Sequence, residues 1–226
     1  MSVNPSDKGL LTPHNCVVLL IDHQPQMFMG VASIFQQILL KNLLVLANAA
    51  KIFSVPVVLT AIESKEFKGD LFPELLELFP DETPIKRSSM NSWESPAFVA
   101  QVKKTGRKNL VIAAPWTEVC LTMPALQALT DGYFVYAVED ASGGLSPAGH
   151  HAALRRIEQA GAVSVTALQV LLEFQRDWAR NENCDEVIRT VKAHCTGFGL
   201  DSENARTGIS EIDRSITTDA DIPSKI

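Results

Sequence analysis

Short runs of apolar, mostly β-branched residues alternate along this chain with segments whose apolar residues recur at helical spacing. Each run is nearly continuous, which is typical of a strand buried on both faces of a parallel sheet. Six strands are predicted, at Cys16–Ile21, Val55–Ile62, near Ile85, and at Asn109–Ala114, Tyr133–Glu139 and Val163–Thr166. The alternation therefore predicts an α/β fold: a doubly wound, mainly parallel six-stranded sheet with helices on both faces, in three α/β/α layers.

Helical segments lie between these runs, and capping residues mark several of their ends. The predicted helices cover residues 33–53, 71–79, 96–106, 119–130, 147–160 and the stretch from the last strand to about residue 180. Ser95 before Pro96 is a strong start, because serine accepts hydrogen bonds from free N–H groups and proline has no N–H to leave unpaired. Gly161 is an equally clear stop.

Length and composition predict one domain over residues 1–196, followed by a polar arm at 197–226 that is extended or partly disordered. The net charge of −6, without a basic run, argues against nucleic-acid binding and favours a small-molecule substrate. The N-terminus lacks the apolar stretch of a secretory signal, and no apolar run is long enough to span a membrane. We therefore expect a cytoplasmic protein whose four cysteines are reduced.

The predicted sheet indicates where chemistry would take place. Ligands in such sheets bind beyond the C-terminal ends of the strands, where the strand order reverses. Asp22 follows the first predicted strand, and Lys86 and Arg87 follow the third. Cys120 opens the helix after the fourth strand. A carboxylate, a cation and a thiol that are remote in sequence are thus predicted to meet at one edge of the sheet.

Each of these residues has a structural interpretation beside the catalytic one. Cys120 lies near a predicted helix N-terminus, where the helix dipole would lower the pKa of a thiol, but buried cysteines more often pack as small hydrophobic residues. Asp22 is either a general base or the cap of a turn. Lys86 and Arg87 are either both solvated, or one of them stabilises a thiolate and holds the carboxylate in place.

Four segments, taken in order, resemble the isochorismatase-like cysteine hydrolases, the superfamily that contains the nicotinamidases. They are the strand plus DHQ at 16–24, RSSMNSWE at 87–94, WTEVC at 116–120 and GYFVYAVEDASGG at 132–144. The resemblance spans about residues 14–180, and the ordered combination makes it specific. Residues 167–180 look like an uncharacterised bacterial hydrolase branch whose members are often multimeric, which implies a homo-oligomer.

The resemblance implies a catalytic triad. In it Asp22 is the general base, Cys120 is the nucleophile, and either Lys86 or Arg87 is the cation. The usual residue type in the family favours Lys86, whereas the spacing back from Trp93 favours Arg87. If the cation is Arg87, it acts only electrostatically, because a guanidinium does not give up its proton in proteins.

The resemblance also implies an oxyanion hole. A cis peptide bond between Pro115 and Trp116 would aim the Trp116 N–H, together with that of Cys120, at a developing oxyanion. The predicted substrate contacts are Phe28, Trp93, Trp116 and the loop from Glu63 to Phe72. The stretch after the second strand has none of the histidines found in metal-dependent nicotinamidases, so we expect neither a metal nor a cofactor.

The predicted function is hydrolysis of a small carbonyl substrate, with an amide C–N bond favoured, through a thioester on Cys120. Asp22 accepts the thiol proton, protonates the leaving amine and activates the water that hydrolyses the thioester. Two alternatives stay open. One is an isochorismatase-type ether hydrolase that does not need the thiol, and the other is a non-catalytic scaffold that has kept the fold.

Overall fold

Six parallel strands form the centre of the structure, a computed structural model that describes residues 9–65 and 67–195. The strands are β1 (Cys16–Ile21), β2 (Val57–Ile62), β3 (Ile85–Arg87), β4 (Asn109–Ala113), β5 (Phe134–Val138) and β6 (Val163–Val165). They form one sheet in the order β3-β2-β1-β4-β5-β6, and every neighbouring pair is parallel. The predicted six-stranded α/β sheet is confirmed, with all of its described strands parallel.

Helices cover both faces of this sheet. They are α1 (Pro25–Met29), α2 (Gln36–Ile52), α3 (Pro73–Leu78), α4 (Pro96–Lys104), α5 (Thr122–Thr130), α6 (Pro147–Gln159), α7 (Ala167–Gln175) and α8 (Asn181–His194). The buried residues of α2, α3, α7 and α8 belong to one apolar layer, and those of α4, α5 and α6 belong to the other. The predicted three-layer arrangement is therefore confirmed.

Strand β1 is apolar on both of its faces, and its position in the sheet explains why. Val18 and Leu20 contribute to the layer beneath α2, whereas Val17, Leu19 and Ile21 contribute to the opposite layer. Successive side chains of a strand point to opposite faces, so a central strand with helices on both sides must be apolar throughout. All six residues of β1 are buried, which confirms the interpretation of the sequence run.

The predicted cap at Ser95 is confirmed, but two helical features differ from the prediction. Ser95 accepts a hydrogen bond from the N–H of Phe98 at 3.4 Å, and α4 begins at Pro96 as predicted. The sequence did not predict α8, whose buried side chains are few and lie among polar residues. The helix predicted to begin at residue 119 instead starts with a π-helical turn, Thr117–Leu121, followed by α5.

Several sequence predictions reach beyond the part of the chain that the structure describes. The predicted polar arm at 197–226 lies outside the described residues, as do both ends of the predicted domain at 1–196. Within the described ranges, none of the helices has the length and apolar character needed to cross a bilayer.

The strand order fixes the place of the candidate site. Because β1 lies between β2 and β4, the connections after β1 and β4 leave the sheet side by side at its carboxyl edge. Asp22 follows β1 directly, and the π-helical turn that carries Cys120 follows β4. This edge is where the sequence predicted the site.

Candidate active site

Asp22 and Arg87 form a buried ion pair at the carboxyl edge of the sheet. Nη2 of Arg87 lies 2.6 Å from Oδ2 of Asp22, and the two side chains are 2% and 0% exposed. Nη1 of Arg87 donates to the backbone carbonyls of Ser89 and Met90. Strand β2 separates β3 from β1, so a side chain as long as arginine is needed to reach the carboxylate. Each charge is desolvated and depends on the other for compensation.

Lys86 is directed away from this pair. Its side chain is 54% exposed, and its Nζ lies 3.5 Å from Oε1 of the equally exposed Glu63. Neighbouring residues of a strand point to opposite faces, so only one of Lys86 and Arg87 can face Asp22. The pairing of Arg87 with Ile62 of β2 sets which one it is. The structure therefore places Arg87, and not Lys86, beside Asp22.

The Asp22 carboxyl group is buried and its backbone is strained. Burial raises the pKa of Asp22 above its ordinary value, while the Arg87 guanidinium and the Cys120 thiol partly offset that increase. Asp22 has a φ of 59°, a left-handed conformation that is uncommon outside glycine. Its N–H donates to the Thr60 carbonyl at 2.9 Å, which ties the strained residue to β2.

The Cys120 thiol faces the Asp22 carboxyl group from the turn after β4, and it is 2% exposed. Burial, together with the negative charge of Asp22, raises the pKa of Cys120 well above its ordinary value. The predicted lowering of this pKa by the helix dipole is therefore wrong, because the thiol is desolvated and the facing carboxylate disfavours a second negative charge. The resting thiol keeps its proton and needs a base.

Asp22 offers one oxygen for that proton. Its Oδ2 accepts from Arg87, whereas Oδ1 has no partner of normal hydrogen-bond geometry among the described residues. The thiol and the carboxyl group are close enough that each shifts the pKa of the other. No hydrogen bond of normal geometry joins them. Catalytic hydrogen bonds of this kind often tighten only when substrate is present.

The chain reverses direction at Trp116. The described residues contain no cis peptide bond, so the predicted cis bond between Pro115 and Trp116 is wrong. Trp116 instead has a φ of 57° and a ψ of 67°, and this left-handed backbone changes the chain direction with a trans bond. Pro115 pairs with Gly143, and the N–H of Thr117 donates to the Gly143 carbonyl at 3.0 Å, which fixes the turn.

The predicted oxyanion hole is not open in this conformation. The N–H of Cys120 donates to the Trp116 carbonyl at 2.9 Å, and the N–H of Val119 donates to the same oxygen at 2.8 Å. To bind an oxyanion, the Cys120 N–H has to exchange the Trp116 carbonyl for a substrate oxygen. The roles of Trp116 and Cys120 as oxyanion donors stay a prediction.

The π-helical turn is anchored to the start of α6. Oγ1 of Thr117 lies 2.7 Å from Nδ1 of His150, and both residues are buried. Oε1 of Glu118 accepts the N–H of Leu145 at 3.2 Å. Gly144 leaves room for that carboxylate, since a β-carbon there would lie 2.8 Å from Oε2 of Glu118. These contacts hold the segment that presents Cys120 to Asp22.

A cavity of about 220 Å³ opens beside Cys120. Its other lining residues are Met27, Ile62, Ser64, Phe67, Ser88, Met90, Trp116 and Val119. The Trp116 wall is fixed, because its indole N–H donates to the Met27 carbonyl at 2.9 Å and the Phe67 ring packs edge-on against it. Larger cavities elsewhere on the surface contain none of the predicted site residues.

The predicted substrate contacts are only partly brought to this cavity. Trp116 lines it, and so do Ser64 and Phe67, which belong to the predicted loop. Phe28 faces the opposite apolar layer and packs edge-on against Phe72. The indole N–H of Trp93 donates to Asp131 at 2.8 Å, and its ring packs against Phe98 and Tyr133. Phe28 and Trp93 therefore belong to the two apolar layers and do not line the cavity.

Sequence reasoning missed five lining residues: Met27, Ile62, Ser88, Met90 and Val119. Met27 and Phe28 are adjacent on α1, and adjacent helical residues point about 100° apart. The sequence alone does not indicate which of the two side chains faces the thiol. Met90 and Val119 lie inside the segments RSSMNSWE and WTEVC, on which the family resemblance rests. The resemblance could therefore have pointed to both residues.

His23 stands beside Asp22 in sequence but takes no part in the site. It is fully buried, and burial lowers the pKa of His23 to about 3, so the ring is neutral near pH 7. Its ring lies 6.1 Å from that of Phe28, within the opposite apolar layer. Among residues 9–65 and 67–195, no three His, Cys, Asp or Glu side chains are grouped closely enough to hold a metal ion.

Comparison with known protein families agrees with this fold and with the position of Asp22, Arg87 and Cys120 at the carboxyl edge of the sheet. The isochorismatase domain model matches residues 16–169. The chain therefore belongs to the isochorismatase family, and it is a hydrolase of that family. The resemblance noted in the sequence is confirmed.

Two similar bacterial proteins extend this comparison. The chain is 40% identical over 173 residues to the probable hydrolase YcaC of Escherichia coli (strain K12), covering 76% of this chain and 83% of that protein. The YcaC crystal structure, which revealed an octameric hydrolase of unknown specificity, has a TM-score of 0.79 at 34% identity, over 91% of this chain and 97% of that one. YcaC from Pseudomonas aeruginosa, solved with hexane-2,5-diol and covalent acrylamide, has a TM-score of 0.75 at 32% identity, over 85% and 98%.

Proposed function

We propose that this protein is a cysteine-dependent hydrolase that cleaves the C–N bond of a small amide through a thioester on Cys120. One observation carries the proposal: the Cys120 thiol faces a buried carboxylate, Asp22, whose other oxygen is held by Arg87. A nucleophile, a base beside it and a third group that orients the base are the parts of an activated nucleophile.

The reaction uses Asp22 as a proton shuttle. Oδ1 of Asp22 takes the thiol proton as the sulfur attacks the carbonyl carbon, which gives a tetrahedral oxyanion. Asp22 then gives this proton to the leaving amine as the C–N bond breaks, and a thioester remains. Water attacks the thioester while Asp22 takes its proton, and that proton returns to the sulfur as the acid leaves. Arg87 keeps its charge throughout and orients the carboxylate.

The buried environment supports this sequence of steps over attack by a preformed thiolate. Burial raises the pKa values of both Asp22 and Cys120, and the negative charge of Asp22 further disfavours a thiolate beside it. The covalent acrylamide in the Pseudomonas aeruginosa YcaC structure supports reaction of this kind of protein with a small neutral electrophile.

Trapping the thioester tests the mechanism directly. With p-nitrophenyl acetate, we expect a burst of about one equivalent of nitrophenol per subunit and an acetyl group on the Cys120 peptide in acid-quenched samples. Mass spectrometry of the Cys184 peptide is the internal control, because Cys184 is a half-buried thiol on α8, outside the site. Steady turnover without any acetyl group on Cys120 would count against the covalent route.

The pH dependence of kcat/KM follows from the environment of Asp22. Asp22 must be ionised to accept the thiol proton, and burial raises its pKa above the ordinary 3.8. We therefore expect kcat/KM to fall on the acid side with a midpoint above that ordinary value. Measuring kcat/KM from about pH 4 to about pH 9 gives the midpoint of this fall. A profile that stays flat down to the ordinary carboxyl pKa would exclude Asp22 as the base.

We also propose that the chain forms a homo-oligomer through the surface beside the site. Met29, Phe35 and Leu145 are 79%, 80% and 50% exposed. The N–H of Ala32 donates to the Gly144 carbonyl at 2.9 Å, which joins the segment that carries Met29 and Phe35 to the segment that carries Leu145. No residue from 29 to 38 is charged, and an exposed apolar surface of this kind is typical of subunit interfaces. The octameric state of the Escherichia coli YcaC structure supports this proposal.

Light scattering on two matched variants tests the interface. Phe35→Glu should lower the molar mass in solution, because a carboxylate would be desolvated in the contact. Phe134→Glu places the same charge at the start of β5, at the other end of the strands, and should leave the mass unchanged. Equal masses for Phe35→Glu and wild type would reject this surface as the interface.

A further inference from the structure

The walls of the cavity beside Cys120 are apolar. Large apolar side chains surround the opening, among them Met27, Phe67 and Met90. The polar side chains that line it are serines, Ser64 and Ser88, and no lysine, arginine or histidine lines it among the described residues. A bound substrate therefore meets apolar surface and neutral hydrogen-bonding groups.

Most of the strong hydrogen-bond donors near the cavity are already engaged, and Nε of Arg87, which has no partner among the described residues, is buried. The indole N–H of Trp116 donates to the Met27 carbonyl, and Nη2 and Nη1 of Arg87 are bonded to Asp22 and to the carbonyl of Ser89. Arg87 does not line the cavity. An anionic substrate group would thus lose its water without gaining a cation, and it would approach the negative charge of Asp22.

We propose that the substrate is a small uncharged amide with an apolar acyl group, and that the site rejects anionic substrates. This inference rests on the proposed function and narrows its substrate class. The cavity, at about 220 Å³, is smaller than the roughly 300–1,000 Å³ typical of sites for drug-sized ligands, so the acyl group is a short branched chain or a small ring. Met90, which is 63% exposed at the rim, is the residue through which the charge preference can be changed.

Alkylation with two reagents of nearly the same shape tests the charge preference without requiring turnover. Iodoacetamide is neutral and iodoacetate is anionic, and Cys184 in the same protein corrects for their different intrinsic reactivity. Relative to Cys184, we expect Cys120 to favour iodoacetamide over iodoacetate by about 100-fold, since an unpaired buried anion is strongly disfavoured. Equal preference at the two cysteines would overturn the proposal. Failure of both reagents to label Cys120 would also overturn it, because the cavity would then not admit a small neutral molecule or Asp22 would not take up the proton of the thiol.

A rim variant and a matched substrate pair complete the test. Met90→Lys brings a cation to the opening and should lower the preference for iodoacetamide by about tenfold, whereas the neutral Met90→Gln should keep it. Among substrates, 4-methylpentanamide should be hydrolysed and succinamate, its anionic counterpart of the same shape, should not. Faster turnover of succinamate would reject the substrate class and leave the proposed function standing. Selective labelling without any Cys120-dependent turnover would reject the proposed function and leave the charge preference standing.

Discussion

Replacing Cys120 with alanine will lower kcat for small amides by about a thousandfold or more, because no other thiol in the described chain faces Asp22. Without the sulfur, Asp22 has no nucleophile to activate except water, and the thioester route is closed. The measurement is steady-state turnover on the best substrate from a panel of neutral amides and esters. Loss of one small buried group costs about 1 kcal/mol of stability, so the variant should fold.

Cys184→Ala is the matched control for this substitution. It removes a half-buried thiol from α8 and should keep the wild-type kcat. If Cys120→Ala retains kcat, the thiol is not the nucleophile, and an ether hydrolase of the isochorismatase type becomes the better explanation. If neither the wild type nor either variant turns over any member of the panel, the non-catalytic scaffold is favoured.

Replacing Arg87 with methionine will destabilise the fold by about 3–5 kcal/mol near neutral pH, because it leaves the buried Asp22 carboxylate without its cation. Urea denaturation of the wild type and the variant measures this difference. Lys86→Met is the matched control. Its side chain is half exposed and contributes a surface ion pair with Glu63, so we expect a change of about 0.5 kcal/mol or less.

The pH dependence of the Arg87→Met variant provides a second check. Arg87 lowers the pKa of Asp22, so its removal raises that pKa further above the ordinary value. A carboxyl group with a raised folded-state pKa favours the fold when it is protonated, and this stability is lost as pH rises through the folded pKa. The deficit of Arg87→Met should therefore shrink as the pH is lowered. A larger loss of stability or activity in Lys86→Met than in Arg87→Met would contradict the assignment.

Some elements of the fold could be predicted from the sequence alone, and others could not. The β1 run could be interpreted from its residues alone, because a strand that is covered on both faces has to be apolar at every position. The start of α4 was equally predictable, since capping depends on residues within one turn of each other. Helix α8 was missed because its few buried side chains, such as Val187 and Val191, depend on packing against α2 and α7.

The order of the residues was enough to predict that a carboxylate, a cation and a thiol follow strands whose carboxyl ends share one edge of a sheet. The orientation of these side chains and their pKa values depend on the tertiary structure. The register of β3 turned Arg87 inward and Lys86 outward, a choice that a shift of one residue would reverse. Burial beside Asp22 raised the Cys120 pKa that a local helix argument would have lowered. Periodicity and capping are local properties of a chain, whereas desolvation and charge pairing depend on neighbours that are distant in sequence.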